Sequence, residues 1–508
     1  MSILGIEFGS TRIKAVAIEG SRVVSSGAFD WENKHENGYW TYDLSDAQTG
    51  ARAALAGMNL RGIEAMGVSG MMHGYLAFDK AGKLLAPFRT WRNTTTEQSA
   101  RELSALFGFN IPQRWSVAHL YQAILNGEEH VKDITYITTL AGWVHWQLTG
   151  EKFLGVGEAS GMFPITDGDY DAGMMEKFRQ LTGIDWAAIA PKVLPAGESA
   201  GSLTEEGAVW LGVPRALAGL PLCPPEGDAG TGMVATNAVA PRTGNVSAGT
   251  SIFVMAVLER PLSRAYPEVG IVTTPAGAPV AMVHGSTCTS DLDAWVKLFG
   301  ELLPLSKAEL YDFLYNKALE AEPDAGGLVN FNCYSGEPVI GLNEGCPLLT
   351  RAAGSNLTLA NFMRAQLFSA LAVLRVGMNL LFGRERVALD SLVGHGGLFK
   401  TKGAGQRLMA GALGVPVAVT ETAGEGGPWG MALLAAYMLR GQGQSLEAFL
   451  SDVFSSGEVT VAAPEPDIAA GFAAYLERYI ACLPAERAAA AALNTPGLRP
   501  PPSEEGGL

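Results

Sequence analysis

Cysteine is scarce and unpatterned in this chain of 508 residues: five thiols stand at 223, 288, 333, 346 and 482. Their number is odd and none has C-x2-C spacing, which argues against a disulfide framework or a structural zinc site and for reduced thiols. Positive charge is also in deficit, with 36 Lys and Arg against 51 Asp and Glu and a net charge of −15. Nucleic acid and anionic membrane surfaces need a basic footprint, so neither is expected as a partner. Anionic ligands remain open, because backbone N–H groups and a metal hold them locally. No apolar run reaches the roughly 18 residues of a membrane span. GMALLAAYML (430–439) is too short to span and reads as a buried helix. MSILGIEFGS lacks a basic start and carries Glu7 inside its apolar stretch, so it does not read as a signal peptide and a cytoplasmic location is expected. The P-loop pattern and a Rossmann G-x-G-x-x-G after a strand are both missing.

What is present is the composition of a globular enzyme, 48% hydrophobic and 17% charged. The length allows roughly two to four domains. ILGIEFG, RIKAVAI and RVVSSGAF read as strands joined by short turns, hence antiparallel neighbours. LSDAQTGARAALAGM reads as a helix with Ser45 as N-cap, and IEAMGVSG as a further strand. The result is an α/β unit. Its opening recurs: TGNVSAG, the turn GTS (249–251) and SIFVMAVL repeat the order of ILGIEFG, the turn GST (9–11) and RIKAVAI. This predicts two related halves with a cleft between them and a boundary near 240, within NAVAPRTGN. Helices are expected over 357–382, 403–413 and 428–440. The Ala/Pro/Gly-rich tail from about 485 is expected to pack loosely or be disordered.

Several segments could carry chemistry. PPEGDAGTGM (224–233) sets Asp228 among three glycines and an alanine. So little bulk lets a ligand approach the main chain, where a carboxylate takes a proton from a hydroxyl or holds Mg2+. A solvated Asp in a Gly-rich turn fits the same letters. The turns at Gly9–Thr11 and Gly249–Ser251 offer converging N–H groups to phosphate, and each alone is also an ordinary hairpin. Met72-His73-Gly74 lies where a strand ends, a usual ligand position in α/β folds. His73 would reach a polyol hydroxyl or simply be a core histidine. TWRNTTT offers Trp91 as an apolar wall, with Arg92 and Asn93 beside it. GHGGLFK (394–400) and EGGPWGMALLAAY (425–437) are glycine-rich helix entries on which a flat ligand could lie.

The order of these segments resembles the FGGY carbohydrate kinases from about residue 3 to 484. GIEFGSTRIKA is similar to the family's first phosphate loop and GMMHGYLAFD to its Met-His-Gly sugar loop. LTGEKFLGVGEASGMFPI resembles its LTG…ASG segment, EGDAGTGM the segment with the catalytic aspartate, and GNVSAGTSIF the second phosphate loop. FNCYSGEPV and NFMRAQLFSAL resemble two further blocks, and GHGGLFK with EGGPWGMALLAAY the adenosine-contacting region.

The resemblance implies two actin-like, ribonuclease-H-like α/β domains with an interdomain cleft. Residues 1–240 would be the sugar-binding domain, 241–484 the nucleotide-binding domain and 485–508 the tail. It implies ATP and Mg2+ as cofactors, Asp228 as general base, and Met72, His73 and Trp91 at the sugar. Gly9, Ser10, Thr11, Gly249 and Thr250 would flank the phosphates, with Gly396, Gly397 and Lys400 near the adenosine. Glu7 and Asp228 would serve the metal. Glu7 stands where the family usually has Asp, and one extra methylene moves the carboxylate by about 1.5 Å. Asn93, His395 and Glu337 also depart from the common pattern. The expected activity is ATP-dependent phosphorylation of a ketopentose, D-xylulose to its 5-phosphate. L-ribulose, L-xylulose, D-ribulose and glycerol stand as other acceptors. An actin-like ATPase without a sugar, or a binding protein with a degenerate site, stands as another class. The partners would be small molecules, and the resemblance is compatible with a homodimer.

Overall fold

The computed structural model describes residues 2–420, 426–441, 443–455 and 457–493. The chain divides into two compact units. One takes residues 1–241, 257–281 and 422–457, the other 242–256, 282–421 and 458–508. The first division falls inside NAVAPRTGN, and two later segments are grouped with the first unit.

The first unit is built on a five-stranded sheet. Its strands are β1 (Ser2–Phe8), β2 (Arg12–Glu19), β3 (Arg22–Asp30), β4 (Ile63–Gly70) and β5 (Glu226–Gly227), in the order β5-β4-β1-β2-β3. β1, β2 and β3 pair antiparallel, while β1, β4 and β5 run parallel. β1 is buried along its whole length and β4 nearly so, the pattern of central strands covered on both faces. Missing side chains let helices close on the sheet. A Cβ on Gly5 would stand 2.0 Å from the Pro428 carbonyl oxygen of helix Gly426–Arg440, and one on Gly27 would stand 1.9 Å from the Ala54 oxygen of helix Leu44–Leu55. Asp43, not Ser45, occupies the N-cap of Leu44–Leu55, and its side chain makes no capping bond. Its carboxylate is instead engaged by Lys34.

The second unit repeats the opening. β6 (Thr243–Ala248) and β7 (Ile252–Val257) form a hairpin, then β8 (Ser391–His395) and β9 (Val417–Thr420) add parallel, and β10 (Val459–Ala462) adds antiparallel. A hairpin followed by parallel strands is common to both units, so the faint sequence repeat corresponds to a repeated topology. Helix Leu359–Asn379 is the core helix here, buried at most positions from Asn361 to Met378. With its continuation to Arg384 it is long and apolar enough to cross a membrane although it holds no unbroken apolar run of that length, and 72% of its most apolar stretch of 18 residues is buried inside the protein. The loose tail expected from 485 is corrected over its first residues. Helix Pro466–Leu493 continues through them, with Glu486 and Ala490 buried. The remainder of the tail lies outside the described residues. All five cysteines are free thiols.

Candidate functional site

The sheet register gathers the first unit's candidates. Glu7 on β1 stands opposite Ser69 on β4, and Ser69 opposite Glu226 on β5. The chain leaves these parallel strands as Gly9–Thr11, Met71–Gly74 and Asp228, so three separate sequence segments meet at the carboxyl ends of neighbouring strands. That is where open α/β sheets build ligand sites.

Asp228 opens helix Asp228–Ala235 and is half-buried. Its Oδ1 accepts the N–H of Met72 at 3.1 Å and of Ala229 at 2.9 Å. Burial raises its pKa to about 6, and the Glu7 carboxylate adds to the rise, while the two N–H donors work against it. Thr231 donates its hydroxyl back to the Gly227 carbonyl at 3.2 Å and lies 3.2 Å from the Ser69 hydroxyl, which anchors this first turn to β4.

Glu7 is buried, and burial raises its pKa against the pull of Lys14, whose Nζ lies 3.3 Å from Oε2. Its other oxygen faces the start of helix Gly426–Arg440, where a Cβ on Gly427 would stand only 2.0 Å from Oε1. A carboxylate is favoured at a helix N-terminus. EGGPWGMALLAAY, matched to the adenosine region, therefore packs in the first unit against Glu7 and β1, and its Glu425 lies outside the described residues. Glu7 is near enough to Asp228 to disfavour its charge, the situation a divalent cation relieves. No group of three potential ligands is found among the described residues. Two carboxylates fit Mg2+, which binds through one or two of them together with phosphates and water.

Gly9 carries its carbonyl to the Trp31 indole N–H at 2.7 Å, and Ser10 accepts the Trp91 indole N–H on its hydroxyl at 3.0 Å. Thr11 uses its carbonyl to hold the Trp31 N–H at 3.1 Å. Trp91 is 41% exposed, an apolar wall tied to the first turn. Asn93 is buried and spends its amide on backbone: Oδ1 accepts the Trp40 N–H at 2.8 Å, and Nδ2 donates to the Trp40 and Thr90 carbonyls at 2.8 and 3.0 Å. An Asp could not make the two donations, which explains the Asn.

His73 adopts φ 72°, a left-handed conformation rare outside glycine. Its Nδ1 lies 3.1 Å from the Gly161 carbonyl, and burial holds the imidazole's pKa well below its ordinary value, so the ring is neutral. Nδ1–H donating to that carbonyl leaves Nε2 as an acceptor for a hydroxyl. Met72 is buried, and its main-chain contribution is the bond to Asp228.

Sequence reasoning gave no role to two carboxyls beside Asp228. Glu226 is buried and accepts the Gly157 and Glu158 N–H groups at 3.2 and 2.8 Å, with its pKa raised by burial to about 8. Glu158 is fully buried, and neither carboxyl oxygen has a hydrogen-bond partner of good geometry. A Cβ on Gly227 would stand 2.3 Å from its Oε2. Burial, reinforced by Glu226 and Asp228, raises its pKa well above the ordinary carboxylate value. The signal was available in GVGEASG, where a lone acid sits among small residues as Asp228 does.

The second unit places its own candidates together. The Gly249 carbonyl accepts both the N–H and the hydroxyl of Thr289, at 3.0 and 2.7 Å, and the Thr250 carbonyl accepts the Cys288 N–H at 2.7 Å. Glu337 in turn accepts the Thr287 N–H at 3.0 Å, so this departure from the family pattern braces the strand end that holds the turn. Gly396 has φ 102°, and a Cβ there would stand 2.5 Å from the Ala248 oxygen. Gly397 and Lys400 line a cavity of about 380 Å³ with Thr289, Lys307, Tyr311 and Tyr315, within the usual range for a small-molecule site. His395 is in register with Ser247 on β6.

Residues 2–220 match the N-terminal domain of the FGGY family of carbohydrate kinases, and residues 244–439 match its C-terminal domain. A xylulose kinase from Haemophilus influenzae is 23% identical over 330 residues, covering 63% of this chain. The chain spans 64% of that relative's length. The fold is similar to a xylulose kinase from Rhodospirillum rubrum, with TM-score 0.78 and 19% identity over 96% of this chain and 99% of the other. It is equally similar to a gluconate kinase from Lactobacillus acidophilus, with TM-score 0.80 and 15% identity over 97% and 99%.

Proposed function

The chain belongs to the FGGY family of carbohydrate kinases, whose two-domain, actin-like fold it has, and from that premise we propose that it transfers the γ-phosphoryl group of ATP to the terminal hydroxyl of an open-chain sugar of ketopentose size. D-Xylulose giving D-xylulose 5-phosphate is the representative reaction. The observation that carries the reading is Asp228, half-buried at a helix start and held by an N–H of the Met-His-Gly loop. This ties the acid to the segment where the acceptor is expected.

In this reading the acceptor hydroxyl lies beside Asp228, which takes its proton as the oxygen attacks phosphorus in line. His73 Nε2 accepts a hydrogen bond from another hydroxyl and orients the chain. The Gly9 N–H is spent on the Arg12 carbonyl and the Gly249 N–H on the Ser251 carbonyl, which leaves Ser10 and Thr11 in the first unit to offer N–H groups to phosphate and Thr250 to do so in the second, where the cavity at Gly397 and Lys400 takes the nucleoside. Mg2+ held by Asp228 and Glu7, when bound, supplies charge neutralisation on the transferring group. Positioning and electrostatics do most of the work in such transfers. Cytoplasmic action on small molecules belongs to the same reading, and a homodimer is compatible with it.

The fold itself does not choose the acceptor, since solved neighbours include a glycerol kinase and a gluconate kinase beside the xylulose kinases. The test is ADP release from ATP and Mg2+ over a panel of ketopentoses and polyols. Acceptor-dependent release with a ketopentose is expected. ADP release that no acceptor stimulates would favour an actin-like ATPase and end the proposal.

A further inference from the structure

Near the Met-His-Gly loop, one arginine has no counter-charge among the described residues. Arg89 pairs with Glu128 and lies over the Tyr39 ring, Arg92 lies over Trp40, and Arg12 pairs with Asp30. The Arg114 side chain is half-buried and makes no hydrogen bond or ion pair with any described residue. Burial lowers its pKa to about 10, with no carboxylate opposing the shift. It is therefore still fully charged at neutral pH.

Its position is fixed against the Met-His-Gly loop. The Gly74 N–H donates to the Arg114 carbonyl at 3.2 Å, and the Ser116 hydroxyl donates to the Gly74 carbonyl at 2.5 Å. Between them, the Trp115 ring stacks on His73 with centroids 6.4 Å apart. The guanidinium is close enough that its charge depresses the His73 pKa. His73 is neutral, so it offers no compensation. Asp228, Glu226 and Glu158 are the carboxyls of this corner, and none pairs with Arg114.

Partial burial of a cation without an anion is unfavourable, and such a group beside the loop where the acceptor is expected points to an anion on the ligand. A guanidinium presents a planar fork that matches a carboxylate in a bidentate pair. We propose that Arg114 is a specificity residue for an acceptor bearing a carboxylate at the end remote from the reacting hydroxyl. The class is an open-chain polyhydroxy acid of five or six carbons, an aldonate or keto-aldonate, preferred over the neutral ketose of the same length. This rests on the phosphotransferase reading above. The transfer is unchanged: the terminal oxygen bonds to the γ-phosphorus, the bond from that phosphorus to the bridging oxygen breaks, ADP leaves and the proton passes to Asp228. The carboxylate is not consumed.

The experiment measures kcat/KM by ADP release for D-xylonate, D-gluconate and 2-keto-D-gluconate against D-xylulose and L-ribulose, with D-ribulose 5-phosphate as a phosphate-bearing arm. Wild type, Arg114→Gln and Arg114→Lys are compared, each checked for native circular dichroism. In wild type an acid is expected to exceed the neutral ketoses by roughly tenfold or more. In Arg114→Gln the acid-to-ketose ratio should fall by about 30-fold or more, mostly through KM, as when one partner of a desolvated charge pair is removed. Arg114→Lys should keep part of the preference, and the His73 imidazole should titrate at higher pH in Arg114→Gln than in wild type. A wild-type preference for the ketose, a ratio that Arg114→Gln leaves unchanged, or preference for the phosphate-bearing sugar overturns the inference while the kinase reading stands. Inertness toward every acceptor overturns both.

Discussion

Met72 and Asp228 are joined by one hydrogen bond, from the Met72 N–H to Asp228 Oδ1 at 3.1 Å, across 156 positions of sequence. The bond fixes one carboxylate oxygen. The other is left to act, and it lies in the first unit with the loop that carries His73. A base acting on a sugar hydroxyl must be positioned before it is basic.

Replacing Asp228 with Asn preserves the size of the side chain and its ability to accept the Met72 N–H. It removes the proton acceptor. Asp228→Asn should fold normally, bind ATP in the absence of Mg2+ as wild type does and lose roughly 10²–10⁴-fold in kcat. Calorimetric ATP titration and steady-state turnover check this, and near-normal turnover would remove Asp228 from the role.

The Asp228 pKa of about 6 sets a pH dependence. The base works ionised, so kcat/KM should rise with pH and level above an apparent pKa of about 6, or below 6 where Mg2+ sits on the carboxylate. Glu7 contributes to that elevation. Glu7→Gln removes a neighbouring negative charge, which favours ionised Asp228, so the acid limb should move to lower pH. If Glu7 also serves Mg2+, the same variant should need about tenfold or more Mg2+ for half-maximal rate. A limb that moves upward, or stays fixed while the Mg2+ demand also stays fixed, contradicts both assignments.

Much of this was legible in the chain. β1, β2 and the turn at Gly9 follow from short apolar runs and one glycine, and the second hairpin follows by repetition. The glycines beside Asp228 make room for protein side chains: a Cβ on Gly227 would meet Glu158 and Met72, and one on Gly230 would meet Pro275 and Glu226. What could not be read was tertiary. That helix Gly426–Arg440 returns to cover β1 and meets Glu7 depends on Gly5 and Gly427, whose contacts are distant in sequence. That Asn93 is a backbone clamp appears only once Trp40 is beside it. Arg114 lies in an unremarkable FNIPQRWSV stretch, and its lack of a partner is a property of the fold. Ser45 failed as a cap because local letters cannot distinguish a cap from a residue just inside the first turn.

Glu226 ties stability to pH. Its pKa rises from 4.5 to about 8 on folding, so the folded state holds the proton more tightly. The stabilisation is complete below pH 4.5 and is lost as pH rises toward 8, at about 1.4 kcal/mol per pH unit as an upper bound. Glu226→Gln cannot titrate. Its melting temperature should fall less between pH 5 and pH 8 than that of wild type, with a residual slope from Glu158, Glu7 and Asp228. Parallel curves for the two proteins would mean that Glu226 is ionised throughout.

Gly396 tests the second unit independently of the sugar site. Its φ of 102° and the 2.5 Å separation between an added Cβ and the Ala248 oxygen make any side chain there strained. Gly396→Ala should cost about 1–3 kcal/mol in stability, because the obstructing atom is backbone and cannot rotate away. Moving that backbone disturbs both the end of β6 and the entry to Gly397 and Lys400. ATP affinity should therefore fall as well, by roughly tenfold, since a loss of about 1.4 kcal/mol in binding is enough. Gly249→Ala is the contrast: a Cβ there meets no atom within 4 Å, so its stability should stay within about 0.5 kcal/mol of wild type. Denaturation and ATP titration of the two variants separate strain at Gly396 from a general intolerance of side chains near the phosphate turn. Equal stability losses in both would show that the close approach between Gly396 and Ala248 is not what makes the glycine necessary.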